Sequence, residues 1–212
     1  MSARRALGLA VVDLYRNSWR LVPVNAAVGA VLVLAVVAAL AVPALLVVAV
    51  LAGPLVAALA HCSVTVVRTG NLALIDAWEG LRLHWRRGLA LGAAGTALGV
   101  VAALAIRFYA GSSVGWPFAF LTLYLVVLLG MYAAVLITVA VAQPELSLRP
   151  AARSAATAAA QRPGATLLLG LALLLVNLAG VAAAVMPFLT ITVAYSFVAV
   201  AHFVLPAQAR EV

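Results

Sequence analysis

Residues 21–67 read LVPVNAAVGAVLVLAVVAALAVPALLVVAVLAGPLVAALAHCSVTVV, without a single Asp, Glu, Lys or Arg. A helix needs about 20 apolar residues to cross the hydrocarbon core of a bilayer. This run is therefore long enough for two crossings, with Pro43 as the turn signal between them. Two more stretches, Phe108 to Pro144 and Pro163 to Ala209, are equally free of charge. Across all 212 residues the chain is 67% hydrophobic and 8% charged, with a mean hydropathy of +1.23. A soluble domain carries about 25% charged residues, so this chain has too few to cover a surface facing water. Composition puts it in the membrane class.

The expected fold is all-α: a polytopic bundle of six transmembrane helices arranged as three hairpins, with amphipathic helices on the cytoplasmic face. The spans fall over 21–41, 43–67, 88–109, 118–142, 164–186 and 187–206, with Pro54 predicted to kink the second. Pro43, Pro117 and Pro187 stand near the outer turns of the three hairpins. Residues 1–20 read as an interfacial amphipathic helix, with Leu7, Val11, Leu14 and Leu21 on one side and Arg5, Arg16 and Arg20 on the other. Its apolar stretch, Ala6 to Val12, is at the lower limit for the core of a signal sequence, ends at Asp13 and is followed by no small-residue cleavage site, so it is expected to stay in the mature protein.

A second cytoplasmic helix is expected over 71–87, N-capped by Asn71. Leu74, Trp78, Leu81 and Trp85 form one stripe, with Asp76, Glu79, Arg86 and Arg87 opposite. Acids in its first half and arginines at its end suit the helix dipole. A third cytoplasmic segment, 143–163, joins helices four and five, and 207–212 form a cytoplasmic tail. On helix three, Gly88, Gly92, Gly95 and Gly99 repeat the spacing that lets helix backbones approach closely, which leaves self-association open.

Orientation follows from arginine. All thirteen basic residues are Arg, a usage that fits the coding bias of a GC-rich bacterial genome. Twelve fall on one side of the predicted spans and only Arg107 on the other. Positive loops stay in the cytoplasm, so both termini are expected there, in a bacterial plasma membrane. Trp19, Trp78, Arg82, Trp85, Arg86 and Arg87 have the chemistry of an interfacial collar, with aromatic rings at headgroup depth and guanidinium groups on anionic lipid. Anionic headgroups account for the net charge of +8 more simply than nucleic acid does.

Little in the chain points to catalysis. The acids Asp13, Asp76, Glu79, Glu145 and Glu211 all fall in segments read as cytoplasmic, leaving no intramembrane carboxylate for ion coupling. Phosphate-binding glycine loops are missing, and His61, His84 and His202 are too scattered to imply a metal; no cofactor is expected. Ser112 and Ser113 have no neighbouring base, and Cys62 stands alone. The expectation is a protein that is not an enzyme.

Neutral polar groups inside the spans remain. Asn25, His61 and His202 fall at similar depth near the cytoplasmic leaflet, where they would form one cluster or line a shallow cavity. Asn177 lies near mid-membrane, with Thr192, Tyr195 and Ser196 on the following helix. Two readings stay open: hydrogen-bonded glue between helices, or a path for a small solute.

Three stretches also carry a resemblance. RNSWRLVPVNA (16–26), GPLVAALAHCSVTVVRTGNLALIDAWEGLRLHWRRGLALG (53–92) and LRPAARSAATAAAQRPGATLLLG (148–170) are similar in order and spacing to the YesL-like family of bacterial membrane proteins. That resemblance implies a plasma-membrane location and coding beside sugar-uptake ABC transporters. It implies no established activity and no catalytic residues. The resulting expectation is a non-enzymatic accessory or assembly partner of a transport system, for which the resemblance implies a carbohydrate one, with lipid headgroups and transporter subunits as partners. A facilitative carrier using Asn25, His61, Asn177 and His202 is the other.

Overall fold

A computed structural model describes residues 2–112, 114–183 and 185–205, apart from the side chains of residues 41 and 43–46. The expected 207–212 tail, with Arg210 and Glu211, lies outside the described residues, as do Ser113 and the final residue of the 187–206 span. The elements are α1 (Ala3–Ala41), a 3₁₀ segment (Pro43–Leu51), α2 (Ala52–Thr69), α3 (Leu74–Ala110), α4 (Trp116–Ala142), α5 (Leu148–Ala160), α6 (Pro163–Ala182), a π segment (Phe188–Thr192) and α7 (Val193–Val204). The described residues include no strand. Five helices are long and apolar enough to cross a membrane, and Phe188–Val204 adds a shorter apolar one.

Several expected boundaries are absent. Residues 3–20 and 21–41 form one 39-residue helix, α1, which passes through Pro23. Its first turn is capped by Ser2 Oγ, which accepts from the Arg5 amide, and no cluster of turn residues follows to stop it. The segments 71–87 and 88–109 likewise merge into the 37 residues of α3. Gly88 at that junction costs about 1 kcal/mol relative to alanine, too little to end a helix with good helix formers such as Arg86, Arg87, Leu89 and Ala90 on both sides. Asn71 is not the cap of α3. Gly70, at φ +79°, ends α2 in the left-handed conformation. Three residues beyond Ala73, the Asp76 carboxylate accepts the Ala73 amide at 2.7 Å.

In place of a kink at Pro54 there is a change of helix type. Pro54 has no N–H to bond the carbonyl of Val50, so a continuous α ladder cannot run through it. The chain is a 3₁₀ helix up to Leu51 and an α-helix from Ala52, which puts Pro54 in the first turn, where a proline is tolerated.

The last helix is the centre of the bundle. Ala194, Phe197, Val198, Ala199, Val200, Ala201 and His202 of α7 are all buried, against α1, α2 and α4. In lipid there is no hydrophobic drive between helices, so close packing and hydrogen bonds must hold them. The tightest packing is between α2 and α3. A Cβ on Gly88 would lie 2.6 Å from Pro54 Cα, and one on Gly92 would lie 2.6 Å from the Val50 carbonyl oxygen. Gly95 and Gly99 face open space and line an apolar recess of about 350 Å³ beside Leu32, Val56 and Ile137.

The C-terminal end of α4 is held by arginine. Arg68 donates to the Ala142 carbonyl at 2.9 Å, and Arg87 donates to those of Ala140, at 2.9 Å, and Pro144. Cations at this end also suit the helix dipole. The short helix α5 lays Ala151 and Ala155 against the bundle, and Tyr132 donates its hydroxyl to the Ala152 carbonyl at 2.9 Å.

Candidate functional site

The polar side chains of the bundle gather in four places, and the expected trio of Asn25, His61 and His202 is not one of them. Each of the three has different partners. The separation follows from the packed face of α1. Ala6, Ala10, Asp13, Asn17, Leu21, Asn25 and Val28 are all buried, spaced three or four residues apart along one side of the helix. Val11 and Trp19 are 55% and 61% exposed. Of the expected apolar face, Leu21 is buried and Leu7 and Leu14 pack against the core, while Arg5 and Arg16 are exposed; Val11 alone of the four faces out, and small and polar residues share the inward side.

The first site is an acid and a base. Asp13 Oδ2 and His202 Nε2 are 2.7 Å apart, with the side chains 2% and 7% exposed. They join the first helix to the last. Asp13 is thus buried between helices and not exposed on the surface of α1. One turn along, Asn17 Nδ2 donates to the carbonyls of Asp13 at 3.1 Å and Gly70 at 3.3 Å, and its Oδ1 accepts the Leu72 amide at 3.1 Å. Asn17 so ties the α2–α3 turn to α1.

The second site is a clamp on the π segment. Widening a helix to π geometry releases backbone groups from the ordinary ladder. Asn25 takes them up, with Nδ2 donating to the carbonyls of Phe188 at 2.9 Å and Leu189 at 2.7 Å while Oδ1 accepts the Ala194 amide. Gly29, one turn further, lets α1 come so close that a Cβ would lie 3.0 Å from Leu189 Cα. Replacing Asn25 by leucine is expected to lower stability by about 2 kcal/mol, since hydrogen bonds between membrane helices are worth roughly 0.6–2 kcal/mol each. Unfolding in a mixed-micelle denaturant series would measure this. A change under 0.5 kcal/mol would mean that the π segment holds itself.

The third site pairs histidines across α2 and α3. The rings of His61 and His84 have centroids 5.4 Å apart, tilted by 45°. Gly80 leaves room for them, because a Cβ there would come within 2.8 Å of His61 Cβ. The sequence reading took His84 as one of a scattered three, while the structure buries it at 3% exposure. Among the described residues no group of three or more His, Cys, Asp or Glu side chains could hold a metal ion.

The fourth site lies between α6 and α7. Asn177 Nδ2 donates to the Leu173 carbonyl at 2.8 Å and to Ser196 Oγ at 2.7 Å, and Ser196 Oγ donates to the Thr192 carbonyl at 2.8 Å. Tyr195, expected nearby, turns away and donates to the Leu7 carbonyl on α1 at 3.3 Å.

The collar residues divide. Trp78 and Trp85 are 63% and 47% exposed, as are Leu74 at 51% and Ile75 at 64%. Arg82 and Arg86 are exposed too. Arg20 lies over the Trp19 ring at 4.6 Å and Arg86 over the Trp85 ring at 5.4 Å, so guanidinium and indole are presented together. Arg87 differs, because its guanidinium is bonded to the carbonyls at the end of α4. The inward face of this helix is not the tryptophan stripe but Gly80, His84 and Gly88. The sequence signal for that face was the spacing of those three residues at intervals of four. No family model, curated protein or solved structure matches the chain.

Proposed function

We propose that the chain is a non-enzymatic, six-crossing protein of a bacterial plasma membrane, with both termini cytoplasmic, that serves as an accessory or assembly partner of a transport system. The observation that carries this reading is the exposed rim of α3. Trp78, Trp85, Arg82 and Arg86 stand out from the same helix whose other side makes the closest contact of the bundle. Paired indole and guanidinium groups suit a lipid interface and, beside it, a docking surface enriched in the residues that anchor protein contacts.

The sixth crossing is made by the π segment with α7. These seventeen residues rise about 25 Å, a little short of a hydrocarbon core about 30 Å thick, and their burial among the longer helices supports a span. An even number of crossings agrees with the count of twelve arginines against one. The carrier reading draws less support. Asn25 is fully engaged by the π segment, His202 is bound to Asp13, and His61 faces His84. Those groups act as links between helices.

The test is affinity purification from native membranes in mild detergent, comparing wild type with the double variant Trp78→Ala/Trp85→Ala. Recovery of a transporter subunit with the wild type, lost in the variant while yield and melting are unchanged, is the expected result. Recovery of the chain alone in both forms would end the accessory reading.

A further inference from the structure

The groove between α4 and α6 carries an inference independent of the docking surface. It is an apolar recess of about 350 Å³ with Val126 and Gly130 on α4, Gly170 and Leu174 on α6, and the polar pair Asn177 and Ser196 in its lining. That volume lies within the range of small-molecule sites, roughly 300–1,000 Å³, which typically join an apolar lining to a few fixed polar groups. Gly130 leaves the α4 wall open, since a Cβ there would meet nothing within 4 Å, while Met131 covers Gly170 so closely that a Cβ there would collide with its thioether.

The Asn177 amide in its lining has one unfilled role. The Leu173 carbonyl can only accept, so the nitrogen of the Asn177 amide must face it, and this fixes Oδ1 on the other side. Ser196 Oγ receives the second bond from Nδ2 and directs its own hydrogen to the Thr192 carbonyl. Every donor of the pair is thereby used. Oδ1 accepts from no described residue, and it is not one of the sealed-in polar atoms, of which Thr192 Oγ1 is the only one among the described residues. Asn177 is fourteen residues into α6, about 21 Å along its axis, at a depth where lipid tails offer no donor. An amide carbonyl is costly to leave unpaired there.

We propose that this groove binds a membrane-dissolved amphiphile of the long-chain alcohol class, its hydroxyl donating to Asn177 Oδ1 and its chain lying along Gly130 and Leu174. The chemistry selects a donor, because an ester, a ketone or a bare hydrocarbon chain has no hydrogen to offer. Depth excludes a charged head.

The experiment uses the full chain in lipid nanodiscs and a dodecan-1-ol analogue bearing a diazirine on its chain. Saturable photolabelling within residues 126–134 and 166–177 is expected, with dodecan-1-ol competing about tenfold better than dodecyl acetate or dodecane, the effect of one hydrogen bond in an apolar site. Asn177→Leu should remove that preference. Val126→Phe, which fills the groove without touching the Asn177–Ser196 bonds, should abolish labelling and provides the test if Asn177→Leu fails to fold. Equal competition by dodecane, labelling indifferent to Val126→Phe, or a cross-link between two copies at these residues in place of labelling would each overturn the proposal.

Discussion

Asp13→Ala is expected to lower the unfolding free energy by about 3 kcal/mol or more, the cost of leaving one member of a buried pair uncompensated. His202 is 7% exposed, and its Nε2 would lose a partner 2.7 Å away. His202→Ala is also expected to lower stability, because it removes the buried bond between Asp13 and α7. The informative variant is the double one, Asp13→Leu/His202→Leu. Buried ion pairs replaced together by apolar side chains often cost nothing, so the double variant should recover most of the loss. Chemical unfolding of wild type, Asp13→Leu, His202→Leu and the double variant in mixed micelles gives the coupling between the sites directly. If Asp13→Ala falls within 0.5 kcal/mol of wild type, the first and last helices are held by packing alone.

The origin of this pair explains what the sequence left hidden. Residues 3–20 contain both a stripe of large apolar side chains and a stripe of small and polar ones, and in water the first would face the core. In a bilayer the apolar stripe can face lipid at no cost, while Asp13, Asn17 and Asn25 can be satisfied only inside the protein. The four-residue intervals from Asp13 through Asn17 and Leu21 to Asn25 were legible in the sequence; what was missing was the solvent against which to judge them. On α3 Trp78 and Trp85 face out, as a collar would, while Gly80 and His84 face in.

The long helices themselves were easy to read, because uninterrupted runs such as Leu21 to Val67 permit little else. Their ends were harder. At the junctions of residues 20 and 21 and of 87 and 88 the chain changes from polar to apolar surroundings without changing conformation, so hydropathy marks a boundary that the backbone does not. The π segment had a weaker signal still. Pro187 precedes it, but its partner Asn25 is more than 160 residues away, and only the folded chain brings them together. Of the candidate site, the pairing of Asn177 with Ser196 was legible from their depths on consecutive helices. The partner of His202 was not, since Asp13 had been assigned to the lipid interface.

The glycines of α3 lead to the other large effect. Four were read as one packed face, yet only the first two touch a neighbour. Gly88→Ala should cost about 3 kcal/mol, the upper part of the range for overpacking, because its methyl group would meet Pro54 Cα at 2.6 Å and Pro54 N at 2.8 Å. Those are backbone atoms, and no rotamer change can move them aside. Gly53→Ala meets the same obstacle from the other side, where its Cβ would collide with the Gly88 carbonyl. Gly95→Ala and Gly99→Ala enter open space, so alanine's better helix propensity should leave them neutral or more stable by up to about 1 kcal/mol. Melting temperatures of the four single variants in one detergent would separate the cases. A uniform loss across all four would mean that Gly95 and Gly99 also meet a partner, and the open wall of α3 would then be a contact between copies. A loss confined to Gly53 and Gly88 places the fixed joint of the bundle at the level of Pro54, where the chain passes from 3₁₀ to α geometry. Proline and glycine then act together at one level: Pro54 breaks the α ladder in α2, and Gly88 lets α3 close over the break.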